Sequence, residues 1–337
     1  MKKVLIGGVV AVVLVLVALW IYNSNTKTVS SGPVDGIRIG WQTPWATQGQ
    51  LTQVLKHTDI LKNNNLTAEF KGFDSGAPLN EAALGNSVDV IFTADQPAAT
   101  LLAKNPDWVI IGRLMYNRVS LYVPPKSPIQ NVSDLKGKKV AMPFGAAAQR
   151  MALKVEKDAG LDPAKDVQNV NLGIYEQAAL VKDASATKWG DVDAMAGFDP
   201  TPAIFQEKGL IRYLHTENVI SVIVMSKKYI AAHLEAPINF LASMRDSYDY
   251  YRNNVDQADD WFVQDAKMDI SHTALATSAA VEPNLTIKNK ADIRLSFNDD
   301  DYRIMQEAAD FIFNQKLVTK QVNMKDFVDL SYLNKVK

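Results

Sequence analysis

The sequence predicts an α/β protein of two lobes joined by a hinge, carried behind an apolar N-terminal segment. Three observations predict it. Apolar runs of strand length alternate with stretches of helical periodicity through residues 37–214. The alternation breaks near residues 119–124, where Pro124 and Pro125 end a strand, and then restarts. A late apolar run at residues 221–225 offers the chain a way back to the first lobe.

The N-terminus comes first. Lys2 and Lys3 precede an uncharged apolar run over residues 4–22, whose 19 residues are long enough at helical rise to cross a hydrocarbon core. Trp20, Ile21 and Tyr22 stand where a cleavage site wants small residues, and Trp20 and Tyr22 suit a membrane interface. The segment reads as a signal anchor, with a cleaved export signal as the alternative. Either way the basic end stays cytoplasmic and the rest of the chain lies outside. Residues 23–35, polar and rich in Ser and Thr, read as a linker.

The first lobe then begins. The alternating segment 37–41 predicts a strand. Leu51, Val54, Leu55, Thr58 and Leu61 predict a helix, stopped by Asn63, Asn64 and Asn65. Strands follow at 66–73, 88–92 and 108–115, with helices at 78–84 and 96–103 between them. The second lobe starts with a strand at 138–142, a turn at Gly145 and a helix over 146–159. Further strands are expected at 167–172, 193–196 and 211–214. Helices at 238–251, 257–266 and 300–313 close the chain. Residues 116–124 and 215–220 are the candidate crossovers. The predicted organisation is therefore residues 1–22 as anchor or signal, 23–35 as linker, 36–118 with 220–337 as the first lobe, and 119–219 as the second.

Composition narrows the function. The chain has 337 residues, 47% apolar and 22% charged, a globular profile. Net charge is -1, and without Lys2, Lys3 and Lys27 the remainder carries 33 basic against 37 acidic residues. No basic excess is available for a nucleic-acid backbone. There is no cysteine, which excludes disulfides, thiolate metal sites, cysteine nucleophiles and a cysteine-linked lipid. His57, His215, His233 and His272 are scattered, and no zinc site is expected.

Three stretches in order carry a resemblance. The first is NEAALGNSVDV at 80–90, followed by TADQP at 93–97. The second runs from SPI at 127–129 through DLKGKKVA at 134–141 to Gly145. The third is GDVDA at 190–194, followed by FDP at 198–200. Together they resemble the periplasmic binding-protein family for nitrate, sulfonate, taurine and thiamine-precursor uptake. The resemblance implies a two-lobed periplasmic binding protein type II fold, no cofactor, and an ABC permease in the membrane as partner to a monomer.

Ligands of open α/β sheets sit beyond the carboxyl ends of strands. The candidate ligand-binding residues are accordingly Trp41, Gln42 and Thr43; Thr93, Ala94 and Asp95; Phe144, Gly145, Ala146 and Ala147; and Phe198 and Asp199. Gly145 permits a tight turn, and the amides that follow it suit an anion. Related sulfonate and nitrate binders often place hydroxyl residues at this helix start, whereas Ala146, Ala147 and Ala148 stand here. Aromatic faces and carboxylates at the other strand ends suit a ring or an amine. Trp41 and Phe198 have core packing as their alternative, and Asp199 has a helix cap. Arg113 and Arg118 are expected at the surface beside the hinge. Asn298 with Asp299, Asp300 and Asp301 reads as a helix start rather than a calcium site.

The expected function is the extracytoplasmic binding component of an importer for a small organic or oxyanion solute. Two alternatives stand beside it. One is an enzyme on the same fold, of pyrimidine-precursor synthase or menaquinone-pathway type. The other is a ligand-sensing ectodomain working through a partner. Neither a GxSxG, P-loop nor HExxH pattern is present.

Overall fold

Two long strands run through the centre of the protein, and the other strands are arranged about them. The computed structural model describes residues 34–266 and 269–336. The expected anchor or signal and nearly all of the expected linker lie outside these residues. Among the described residues no helix is long and apolar enough to cross a membrane.

The strands are β1 (Asp35–Gln42), β2 (Leu66–Phe73), β3 (Val90–Ala94), β4 (Trp108–Val123), β5 (Lys139–Met142), β6 (Gln168–Asn171), β7 (Ala194–Phe198) and β8 (Arg212–Ser226). The helices are α1 (Gln48–His57), α2 (Ile60–Asn63), α3 (Gly76–Leu84), α4 (Asp95–Lys104), α5 (Ala147–Asp158), α6 (Ile174–Leu180), α7 (Thr201–Glu207), α8 (Lys227–Ala232), α9 (Ala236–Asn253), α10 (Val255–Ala266), α11 (His272–Ala279) and α12 (Asp299–Asn314). The strands form one mixed sheet in the order β2-β1-β3-β8-β4-β7-β5-β6.

The register decides what the sheet can do. β1 to β3 are parallel to one another, as are β5 to β7. β8 is antiparallel to β3 and to β4, and β4 is antiparallel to β7. The two parallel sets therefore run in opposite directions and point their carboxyl ends at each other. Ala94, the end of β3, lies opposite Ser221, which itself lies opposite Met115. Phe198, the end of β7, lies opposite Val119. Only Tyr116, Asn117 and Arg118 separate those levels on β4, a gap of about 13 Å at strand rise.

The sequence reading split β4 and β8 each into two pieces, because polar residues interrupt their apolar runs. The structure corrects this. The interrupting side chains of β4 stay in the strand because each has a partner. Tyr116 bonds Asp301, Asn117 donates to the Ala46 carbonyl at 3.3 Å, and Arg118 pairs with Asp199 at 2.9 Å. The helix expected to run on to Leu61 breaks at Thr58, whose hydroxyl turns back to the Val54 carbonyl at 2.6 Å. The short helices α6, α8 and α11 lie in stretches the sequence reading left unassigned.

Helices cover both faces of the sheet over two cores. Ile39, Phe92, Ile111 and Ile223 feed one, and Ile91, Ile110, Val222 and Val224 feed the other with Met305 and Ile312 of α12. The alternation along each strand assigns the face. α1 packs so tightly on α10 that a Cβ on Gly49 would lie 2.0 Å from the Phe262 ring. Arg113, expected at the surface, is fully buried and pairs with Glu282 at 3.1 and 2.5 Å. Its partner arrives from 169 residues away, which no local pattern announces. At the start of α12, the Asn298 side chain accepts the Asp301 amide at 2.8 Å, while Asp301 accepts the Asn298 amide at 2.9 Å. This is a capping box.

Candidate functional site

Where the opposed strand ends meet, buried polar residues gather. The Gln48 side-chain oxygen accepts the Gln42 backbone amide at 2.7 Å. The Gln42 carboxamide itself and the Gln48 side-chain nitrogen have no hydrogen-bond partner among the described residues. Trp45, in the turn after β1, stacks on Phe198 at 4.6 Å and 21°. The Asp199 carbonyl accepts the Ala46 amide at 3.3 Å and the Asn117 side chain at 3.5 Å. The end of β1, the end of β7 and the middle of β4 are thus pinned together.

Charge is paired across the same region. Asp95 opens α4, is fully buried, and accepts the Gln96 amide at 2.7 Å and Arg150 of α5 at 2.9 Å. Arg150 lies 3.5 Å from Glu217 of β8. Burial raises the Asp95 carboxyl, and Arg150 opposes the rise. Burial likewise pushes Asp199 up to about 6, against Arg118 and the Ala203 amide.

Two cavities open beside this interior. One, of about 570 Å³, lies at the carboxyl ends of β1 and β2, walled by Trp41, Thr43, Phe70, Gly72, Asp74, Lys56, Tyr175 and Asp265. The other, of about 360 Å³, is bounded by the start of α3 (Asp74, Ser75, Ala77) and the turn before α5 (Pro143, Phe144), with Asn171, Tyr175 and Glu176. Asp74 and Tyr175 line both. Tyr175 crosses from α6 to the other half of the sheet, with its hydroxyl 3.2 Å from that of Thr43 and donating to the Ala266 carbonyl at 3.3 Å. Burial raises the Tyr175 hydroxyl pKa, opposed by the Thr43 bond; Asp74 and Asp265 add to the rise.

The second cavity has an electrostatic character of its own. α3 and α6 both begin at it, and the turn that leads into α5 reaches it at Pro143 and Phe144; the first amides of a helix lack intrahelical acceptors. Gly145, at φ 79°, makes the turn into α5, and a Cβ placed on it would stand 3.5 Å from Ala77 of α3. The Thr93 hydroxyl, fully buried and without a hydrogen-bond partner among the described residues, lies 3.7 Å from a Cβ placed on Gly76 at the head of α3.

The sequence-derived residues fall into two groups. Trp41, Thr43 and Phe144 line the cavities, with Gly145 at their edge. Gln42, Thr93, Ala94, Asp95, Ala146, Ala147, Phe198 and Asp199 are buried in the interior behind them. Trp41 and Phe198 are also part of the apolar core. The Gly145 amide, in the expected anion-binding turn, is taken by the Gln149 side chain at 2.8 Å. Sequence reasoning missed Asp74, Phe70, Tyr175, Lys56, Asp265 and Arg150. Asp74 directly follows the end of β2, so the strand-end rule reaches it; Tyr175 sits on a seven-residue helix with no local signal.

Comparison with known proteins places these features in context. The family described as NMT1/THI5 like matches residues 79–258, more than half of the chain. A Bacillus subtilis protein named for binding aliphatic sulfonates is 24% identical over 342 residues, covering 99% of this chain and 97% of that one. The fold is that of the alkanesulfonate-binding protein SsuA from Xanthomonas axonopodis pv. citri bound to MOPS, with a TM-score of 0.70, 20% identity, and coverage of 89% of this chain and 99% of that one. A desulfurization enzyme, DszB, shares the fold at a TM-score of 0.63 and 13% identity, over 89% of this chain and 98% of that one.

Proposed function

The chain belongs to the NMT1/THI5-like family, and from that premise we propose that it is the extracytoplasmic binding component of an ABC importer, taking a small organic solute of the sulfonate kind. In this reading the two halves of the sheet are lobes of a type II binding protein, residues 36–118 with 220–337 and residues 119–219. They hinge on the middles of β4 and β8. Residues 1–22 hold or export the chain, and the permease receives it as a single copy with its cleft closed. A solute that touches both lobes favours the closed state by its differential affinity.

The observation that carries the proposal is the opposition of the start of α3 and the turn that leads into α5 across one cavity. A sulfonate head there meets the first amides of α3, and the Thr93 hydroxyl, buried without a hydrogen-bond partner among the described residues, stands at the head of α3. Ala147 and Ala148 bring amides but no hydroxyls. The relatives' names support the solute class, and the histidines support binding over catalysis. His57 stacks on Trp261, and His233 and His272 pair with Asp35 and Asp260. None of the four lines either cavity.

The test is a calorimetric titration of the full chain with alkanesulfonates. Thr93→Val keeps the shape and removes the hydroxyl, and is expected to weaken binding about tenfold, the equivalent of ~1.4 kcal/mol. Phe144→Ala, at an exposed residue, should weaken it without lowering the melting temperature. Unchanged affinity in both variants overturns the site.

A further inference from the structure

Behind the cavities, one buried cation joins the two halves of the sheet. Arg150 stands on α5, within residues 119–219, and its side chain is buried. One of its nitrogens is 2.9 Å from Asp95 at the head of α4, in the other half, and another is 3.5 Å from Glu217 of β8, in its own half. Asp95 is fully buried, and its remaining partners, the amides of Gln96 and Ile220, lie on its own side. Lys154, one turn along α5, adds positive charge near Glu217. None of Asp95, Arg150 and Glu217 lines either cavity.

The two partners of Arg150 are unequal when the halves move. On opening, Glu217 stays with Arg150, and water reaches Asp95. On closing, Asp95 loses that water, and Arg150 supplies its ion pair. An intact buried pair gains little, because both charges give up their hydration, but removing one partner leaves the other buried and alone. That penalty falls on the closed arrangement only. Glu217 adds to it, since its carboxylate already acts against that of Asp95. A solute that needs the closed arrangement binds more weakly in proportion as that arrangement is depleted. We infer that Arg150 is a positioning residue for solute binding: held by Glu217 in its own half, it meets Asp95 only when the halves close, and so sets the solute's affinity from behind the cavities that the solute fills. The inference rests on the hinge and sulfonate reading above and assigns the residue on which closure depends.

The test is a set of unequal losses, read by calorimetry with propanesulfonate on the full chain. Arg150→Met leaves both acids without their cation and is expected to weaken binding about a hundredfold. Asp95→Asn leaves Arg150 with Glu217 and should weaken it by about two- to tenfold. Asp95→Asn added to Arg150→Met should recover about tenfold of the loss, a rescue that a packing role for Arg150 would not give. Closure itself is read without any solute. Cysteines introduced as Ala77→Cys and Gly145→Cys would have Cβ atoms 3.5 Å apart, and the rate at which they cross-link follows the closed fraction. Arg150→Met should slow that rate about tenfold or more, and Asp95→Asn should restore it. Equal affinity of Arg150→Met and the wild type overturns the inference, as does a double variant that binds no better than Arg150→Met. If Arg150→Met does not fold, Asp95→Asn decides: weaker binding than the wild type upholds the inference, and equal binding overturns it. If the wild type binds no propanesulfonate, the sulfonate reading falls and the cross-linking rate decides alone. A rate slowed by Arg150→Met and restored by Asp95→Asn upholds the role of Arg150, and an unchanged or unrestored rate overturns it.

Discussion

Glu156 shows how much a single buried residue can decide. It is fully buried on α5; one carboxylate oxygen accepts the Asn169 side chain at 2.9 Å and the other has no hydrogen-bond partner among the described residues. Burial pushes its carboxyl up to about 7, and the Asn169 bond opposes the rise. The folded value lies above that of an unfolded glutamate, about 4.3. The protonated group's contribution to stability is therefore complete below that value and is lost as pH rises through about 7. Glu156→Gln removes the titration. It should melt like the wild type at pH 4 and higher at pH 8, by roughly 2–6 °C. Thermal unfolding at the two pH values checks this, and an equal difference at both would refute it. Nothing in the local sequence marks Glu156, because burial comes from neighbours distant in the chain. The same holds at the candidate site. Trp41, Thr43 and Phe144 were legible as strand ends. Asp74 stands one residue beyond a strand whose end was read correctly, and it was passed over because its role depends on what faces it.

At the scale of elements, apolar runs located at least part of every strand, while lengths and joins depended on partners. β4 is one strand of 16 residues because Tyr116, Asn117 and Arg118 each have a bonding group waiting on another element. Arg113 follows the same logic. Its guanidinium fork meets both Glu282 oxygens, Glu282 also accepts the Tyr116 amide at 2.7 Å, and Arg113 lies 4.2 Å from the Tyr116 ring centroid. The pair ties β4 to the segment before α12. Removing one partner of a buried pair strands the other charge, at about 3–5 kcal/mol. Glu282→Gln should lower the urea midpoint accordingly. Arg113→Met combined with Glu282→Gln should be less destabilised than the two losses added together. Strict additivity in that double-mutant cycle would mean the pair is not coupled.

At the scale of the whole molecule, the bonds that span the opposed strand ends are few and specific. They include the Asp95–Arg150 pair, the Trp45–Phe198 stack and the Thr43–Tyr175 contact. An element-by-element reading of the sequence expects two units joined by two crossovers. It could not foresee the direction in which the parallel sets face, because direction is a property of the completed sheet. If the halves open and close on β4 and β8, the turn at Gly145 must leave α3 and return to it. A chain without cysteine allows that motion to be trapped cleanly. A Cβ on Gly145 would lie 3.5 Å from that of Ala77, within the range a disulfide requires. The double variant Ala77→Cys with Gly145→Cys, oxidised without ligand, should cross-link in high yield despite the φ of 79° at Gly145, a strain of about 1 kcal/mol. The cross-linked protein should then take up solute far more slowly than the reduced one, and reductant should restore the rate. Equal uptake by the oxidised and reduced forms would mean that solute enters without the halves parting, and the hinge would have to be given up.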